Sequence, residues 1–532
     1  MDIKSLDAQH GWRESVQALF QRHVFFMLLL GFSAGLPLLL IFSSLSLWLS
    51  EAGISKSTVT YFSWAALGYS FKFVWAPLVD CLPIPFLTRV LGLRRSWLLV
   101  AQVGIISAIC LMAISDPELE NQLTWMAIGA VLLGFSAATQ DISIDAYRIE
   151  VATADMQGLL SAAYIAGYRL AMIVAGAGSL FLASYLGSTT DQYVYSAWKV
   201  TYYVMAAFGL VGVVATLCIT EPIQRASKLS HTKYEYLGLL AAFVISVLGF
   251  IGVFYTSGEW VAQLKTSLAD VFNNKALAGF LVELLRLSIG VFVAFLLGKL
   301  SIFLGVVNRS MITNSYIAPV KQFFDDYGFK TAWILLALIG LYRISDIVLG
   351  VMSNLFYKDM GFTKDEIALA VKTFGVGMSI AGGFIGGIFS MRFGVMRMLF
   401  VSALLVVVTN MMFLFLFYAG KDFAVMYAVV SADNLVAGIA TAAFVAFLSS
   451  LVNIQFTAMQ YAIFSSLMTL IPKVLAGYSG SIVESIGYPG FFIFTGLIGL
   501  PILALVVLAK KSLDIRDHQQ YEAEEQKSNV SQ

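Results

Sequence analysis

Gly134–Glu150 reads GFSAATQDISIDAYRIE. The stretch opens as the tail of a long apolar run. Within about two helical turns it then sets down Gln140, Asp141, Asp145 and Arg148. Positions 141, 145 and 148 follow one another at i, i+4 and i+7, which is a single helix face. Charges at the end of a membrane-length apolar helix belong either at the membrane surface or against other protein. The reading therefore turns on whether this helix is one of many.

It is. The chain of 532 residues is 59% hydrophobic and 12% charged, with a mean hydropathy of +0.83. Soluble domains carry roughly 25% charged residues, so this composition belongs to a polytopic membrane protein. The net charge of +1 gives neither a nucleic-acid footprint nor an acidic tail. Cys81, Cys110 and Cys218 are odd in number and scattered in or beside apolar runs, so no disulfide framework or metal motif is expected. The polar start, MDIKSLDAQHGWRESVQALFQRH, is followed by no small-residue cleavage site at the right distance, and a removable signal peptide is not expected.

A bilayer core of roughly 30 Å needs about 20 apolar residues in helical form. About fourteen such runs occur, near 24–48, 58–79, 96–114, 123–145, 158–186, 198–219, 235–256, 281–305, 331–355, 366–389, 397–418, 424–449, 458–481 and 489–509. Lys and Arg favour cytoplasmic loops. They collect in the N-tail (Lys4, Arg13, Arg22), the second loop (Arg89, Arg94, Arg95), the loop near 220–234 (Arg225, Lys228, Lys233) and the C-tail (Lys510, Lys511, Arg516). Both termini are thus expected in the cytoplasm, and the stretch 134–150 ends there too.

The sequence also repeats. LWLSEAGISKSTVTYFSWAALGYSFKFVWAPLVD around Trp48 and LFYKDMGFTKDEIALAVKTFGVGMSIAGGFIGGIFSMRFG around Phe356 share a helix, a Gly-X-[ST]-Lys turn and a Gly-rich helix, offset by about 308. ADMQGLLSAAYIAGYRLAMIVAG corresponds loosely to TAMQYAIFSSLMTLIPKVLAG. Repeated halves mark secondary transporters. The expected layout is an N-tail (1–23), a six-helix bundle (24–220), a linker with two extra transmembrane helices (221–330), a second six-helix bundle (331–509) and a C-tail (510–532). The segment 257–280 between the extra helices reads as an amphipathic interfacial stretch.

This organisation resembles the major facilitator superfamily. Asp80, Gly92, Arg94 and Arg95 look like a stretched form of its acidic-Gly-basic loop signature. The second copy keeps Gly387, Arg392 and Gly394, with Ser390 where an Asp is common. LGFSAGLP (Leu30–Pro37), YSFKFVWAPLVD (Tyr69–Asp80), RRSWLLVAQ (Arg94–Gln102) and ATQDISIDAYRIE (Ala138–Glu150) more closely resemble AmpG-type muropeptide permeases. The wider family also looks similar to acetyl-coenzyme A transporters and some siderophore importers. The resemblance implies a bacterial inner-membrane permease that imports anhydro-muropeptides released by cell-wall turnover, and a monomer is expected.

An ionisable group at bilayer depth costs at least roughly 2.5–3.5 kcal/mol on insertion scales, so each should face a cavity or a partner. Arg169 lies about eleven residues into its run, Lys72 about fourteen, Arg343 about twelve, Asp346 about fifteen, Asp433 about nine and Lys473 about fifteen. Arg169 has no acid near it in sequence. It reads as a bidentate ligand for a carboxylate, or as a cross-helix partner of a residue such as Asp141. Arg343 and Asp346, at i and i+3, are either a self-neutralising pair that fixes packing or a proton site tuned by its cation. Asp145 and Arg148 can pair along their helix, leaving Asp141 for another helix. Together they read as a gate or, more simply, as ordinary interfacial charges. Lys473 follows Pro472, and a local helix break there would open it to the cavity. Pro37 is placed to bend the first helix. Tyr164, Tyr168 and Tyr461 are sugar-stacking candidates, or simply core aromatics.

For a sugar-peptide substrate, Arg169, Lys72 and Lys473 are the expected carboxylate ligands. Gln140, Asp433, Asn434 and Tyr168 are the expected polar and stacking contacts, with Asp433 a proton site in the other reading of the Asp433–Asn434 pair. Asp141, Asp145, Arg148, Arg343 and Asp346 are the expected proton-coupling or gating groups, with the proton gradient as energy source and no cofactor. Gly31, Gly35 and Gly134 are expected at helix crossings. GFSAG at Gly31–Gly35 also spells the hydrolase G-x-S-x-G. That motif needs a strand, a turn and a histidine, and the four histidines lie in tails or a loop. No P-loop is present. A carrier of another large anion, and a receptor or scaffold, stay open as alternatives.

Overall fold

The computed structural model describes residues 11–55, 58–59, 62, 67–119, 121–189, 192–222, 232–272 and 275–530. Thirteen helices among them are long and apolar enough to cross a membrane. In chain order the segments are α1 (Arg22–Glu51), α2 (67–81), α3 (Leu93–Ile114), α4 (Gln122–Val151), α5 (Ala154–Tyr185), α6 (Tyr195–Cys218), α7 (Tyr234–Thr256), α8 (Leu281–Phe303), α9 (Phe329–Asp359), α10 (Ala368–Phe393), α11 (Val395–Ala419), α12 (Phe423–Ser450), α13 (Ile454–Lys473) and α14 (Ser479–Ile515). The expected run 58–79 falls partly outside the described residues. What is described of α2 is helix Leu67–Phe71, a 3₁₀ turn Lys72–Val74 and helix Ala76–Cys81.

The chain forms two compact units, Met1–Gln224 with Phe323–Gln532, and Arg225–Gln322. The smaller unit holds α7, α8 and, between them, the helix Gly258–Phe272 in the stretch read as amphipathic. Within that unit Glu283 accepts from Lys265 at 2.5 Å. Arg286 lies 4.6 Å from the Phe254 ring centroid and donates to Ser257 Oγ at 2.9 Å.

In the larger unit, small residues set how closely helices approach. Gly31 and Gly35 on α1 face the backbone of Tyr164 and Tyr168 on α5, and Gly167 of α5 faces Leu28 and Phe32 in return. Gly382 and Gly386 on α10 meet Leu435 and Ile439 on α12 in the same way. Gly134 lends its carbonyl to the surface that Gly68 meets. A Cβ on Gly31 would stand 2.8 Å from Tyr164 Cα, and neither backbone can yield without separating the helices. Overpacking costs typically 1–3 kcal/mol. Gly31→Val is therefore expected to lower the unfolding temperature and cut the monodisperse yield several-fold. Gly350→Val, at a glycine with open space around it, should leave both unchanged.

Both halves begin with a broken helix. α1 is interrupted at Phe42 (φ −96°, ψ −91°), not at Pro37, which lies within the continuous helix Arg22–Ile41. A proline removes one backbone bond, but here the helix direction changes a turn later. α9 breaks between Leu341 and Ile344, with Arg343 at the break (φ −97°, ψ 9°). α5 and α10 carry π-helical turns at Val174–Gly178 and Ala368–Phe374. α14 starts earlier than the expected run, turns at Gly487 (φ 69°) and continues as helix to Val530.

Candidate functional site

α4 brings Asp141, Asp145 and Arg148 to one face, and α2, α5, α12 and α13 supply their partners. Asp145 accepts from Lys72 Nζ at 3.4 Å and from Arg148 at 3.5 Å. Lys72 is buried, carried on the 3₁₀ turn of α2. Asp141 accepts from Tyr164 Oη of α5 at 3.1 Å, which fills the cross-helix role left open for it. Arg148 is buried and donates to Gln157 Oε1 (2.8 Å) and, across to the second half, to Ser449 Oγ of α12 (2.9 Å). Its guanidinium lies 5.1 Å from the Tyr461 ring centroid of α13. Tyr461 is thus a platform for a cation of this chain.

A second set of charges joins the halves at the same end of the bundle. Arg94, 1% exposed, donates to Asp80 (2.7 Å), to both oxygens of Glu150 (3.0 and 2.7 Å) and to Val79 O (3.1 Å). Asp80 also accepts the backbone N–H groups of Ala458 (3.1 Å) and Met459 (2.9 Å). These are among the first amides of the helix Thr457–Ala476, which have no intrahelical acceptor and form the positive end of the helix dipole. Glu221, just past α6, accepts the N–H groups of Arg94 (2.8 Å) and Arg95 (3.1 Å). Burial raises its pKa above the ordinary carboxylate value, and those N–H groups pull it part of the way back. Arg95 returns the favour to the last carbonyls of α6, Thr216 and Leu217. Asp80, Arg94, Arg95 and Glu150 stand in the motifs quoted above, but the motifs alone do not say that Asp80 reaches α13.

The second copy of the loop signature is not built this way. Ser390 Oγ and Arg392 Nε are buried with no hydrogen-bond partner among the described residues. Arg392 lies over Trp12 and Phe393 instead. Without an acid at position 390 the guanidinium has nothing equivalent to hold.

The deeper charges form a third group. Arg343 and Asp346 make an ion pair at the break of α9, and the acid falls in the first turn of Ile344–Asp359, where negative charge is favoured. Arg169 of α5 has these two within electrostatic range, and Asp433 of α12 is within range of Asp346. Neither Arg169 nor Asp433 makes a hydrogen bond or ion pair with a described residue. Arg169 faces Arg343 and Asp346, and Asp141 is not its partner.

The other expected site residues lie elsewhere. Gln140 is buried and accepts from Ser33 Oγ of α1 at 2.9 Å, and its Nε2 has no partner among the described residues. Asn434 donates to Val430 O on its own helix at 2.9 Å. Tyr168 lies beside Tyr164, ring centroids 6.0 Å apart. Lys473 is exposed among Leu470, Ile471 and Leu475 and joins no charged group among the described residues. Pro472 is accommodated within one helix, so no break turns Lys473 inward.

Residues 23–233 match the family described as acetyl-coenzyme A transporter 1, and residues 334–531 match the Major Facilitator Superfamily. The chain is 30% identical to the Rickettsia conorii protein named AmpG 4 over 492 residues, 92% of this chain and 97% of that one. It is 28% identical to the anhydromuropeptide permease of Escherichia coli K12 over 489 residues, 92% of this chain and 80% of the relative. Among solved structures it is similar in fold to the proton:xylose symporter XylE (TM-score 0.56, 11% identity, 93% of this chain and 95% of that one). The Escherichia coli fucose:proton symporter FucP is similar as well (TM-score 0.58, 11% identity, 91% and 97%). The chain belongs to the AmpG family of the major facilitator superfamily and is a multi-pass membrane transporter.

Proposed function

We propose that this protein imports anhydro-muropeptides (GlcNAc-anhydroMurNAc peptides) across the bacterial inner membrane, driven by inward proton flow through alternating access. The carrying observation is the similarity to the Escherichia coli anhydromuropeptide permease along 92% of the chain. The site chemistry supports it. A muropeptide presents carboxylates, and Arg169 offers a guanidinium that no described residue occupies. Asp433 and Tyr168 supply polar and stacking contacts around it. Lys72, Asp145 and Arg148 act as the gate, together with Asp80 and the α13 amides, at the end of the bundle that faces the cytoplasm with both termini. Asp141 and Asp346 carry the coupled proton, and no other cofactor takes part. The transporter works as a monomer.

The match of residues 23–233 to the acetyl-coenzyme A transporter description favours one second reading, a carrier of a different large anion. One experiment separates them. Labelled anhydro-disaccharide tripeptide is offered to proteoliposomes with and without an imposed proton gradient. Uptake should rise at least tenfold with the gradient, resist excess acetyl-coenzyme A and lose its gradient dependence in Asp141→Asn. Uptake blocked by acetyl-coenzyme A, or none from folded protein, would transfer the assignment to the second reading.

A further inference from the structure

α11 and α14, which carry none of the gate residues, run antiparallel and enclose a groove of about 500 Å³. Its lining is graded. On α11, Arg397 lies in the first turn and Phe400 one turn further in. On α14, which runs the other way, Val507 lies deeper and Lys510, Lys511 and Asp514 lie nearer the end where α11 begins. The i to i+4 step from Val507 to Lys511 and the i to i+3 step from Arg397 to Phe400 each stack a cation and an apolar side chain on one face. Antiparallel packing then brings all three cations to the same level. The groove is charged at its mouth and apolar inside.

Arg397 stands in the first turn of its helix, where the dipole disfavours a cation, and neither it nor Lys511 pairs with a described residue. Arg397 and Lys511 alone, set against the one carboxylate, Asp514, leave a net positive mouth. We propose that this groove binds one anionic phospholipid. Its phosphate sits between Arg397 and Lys511, and an acyl chain lies along Phe400 and Val507. Basic pockets between transmembrane helices suit anionic headgroups, and the apolar floor suits a chain that a free phosphate lacks.

The test is native mass spectrometry of the purified full-length protein titrated with phosphatidylglycerol or phosphatidylcholine. One phosphatidylglycerol should be retained in preference to phosphatidylcholine. Each removed cation should weaken binding about fivefold, so Arg397→Gln with Lys511→Gln should weaken it about 25-fold. Arg89→Gln, at an exposed cation outside the groove, should change it less than twofold. Val507→Trp should reduce retention with all three cations in place. Glycerol phosphate should not compete. Equal loss in Arg89→Gln would reduce the cations to general interfacial anchors, full competition by glycerol phosphate would make this a soluble-phosphate site, and equal retention of phosphatidylcholine would remove the headgroup from the account. Each of these overturns the proposal.

Discussion

Arg169→Ala is expected to lower muropeptide uptake by two to three orders of magnitude while leaving the folded protein at least as stable. The expectation rests on what the guanidinium lacks. It sits on the membrane-spanning α5 and makes no ion pair or hydrogen bond with a described residue. Arg343 stands within electrostatic range and already holds Asp346. A cation kept unpaired beside a second cation weakens the fold, so its removal should raise the unfolding temperature or leave it unmoved. Truncating one partner of a buried hydrogen-bonded charge pair costs about 2–5 kcal/mol, which sets the size of the uptake loss. Arg169→Lys keeps the charge without the planar fork and should fall between. Arg343→Ala is the contrast. It strands Asp346, so it should lower stability as well as uptake. Uptake by proteoliposomes and thermal unfolding, measured on the same preparations, decide the matter. Normal uptake by Arg169→Ala, or a fall in its stability comparable to that of Arg343→Ala, would remove Arg169 from the substrate site.

The sequence and the structure part company at identifiable places. Hydropathy finds helices because 20 apolar residues need only be counted, and the 13 observed spans correspond to expected runs. The i, i+4, i+7 face of α4 is equally legible, since helical periodicity fixes it before any tertiary contact forms. The partners are not. Arg148 reaches Ser449, and Asp80 reaches the amides of Ala458 and Met459. Separations of this kind leave no local pattern. The breaks at Phe42 and Arg343 were hidden for another reason. Phe42 has no proline or glycine within a turn, and Gly340 near Arg343 lies inside the helix that ends at Leu341, whereas Pro37 and Pro472, which do signal a break, lie inside continuous helices. Pro472 predicts a break that would turn Lys473 inward, and Lys473 stays outside because that helix does not open. Gln140 has the opposite history. Polar side chains at depth suggest a substrate site, yet this one faces Ser33 on α1, and one helical step from Asp141 is enough to turn it to a different neighbour.

Arg148→Ala should convert the closed end of the bundle into an open one in most molecules. Arg148 joins three kinds of contact in one buried side chain: hydrogen bonds to Gln157 and Ser449, a pairing with Asp145, and the face of Tyr461. Removing one member of a buried ion pair costs about 3–5 kcal/mol. Part of that cost falls on every conformation, because Gln157 and Asp145 lie in the same half as Arg148. The contacts to Ser449 and Tyr461 cross between halves and exist only while that end is closed, so their loss is paid by the closed state alone. If the crossing contacts carry about 2–3 kcal/mol, the balance between closed and open shifts by roughly 30- to 150-fold. Spin labels at Val90 and Gln455, both exposed, report the separation of the two halves at this end in a background with the three cysteines replaced. The parent should show one short distance and Arg148→Ala a dominant longer one. Asp80→Asn should move the distribution the same way, because it removes the charge that holds the first amides of α13. Arg148→Lys should give an intermediate mixture, since an ammonium can keep Ser449 but not all the partners at once. An unchanged distance in both Arg148→Ala and Asp80→Asn would mean that apolar packing between α5 and α10 closes this end without help from the charges.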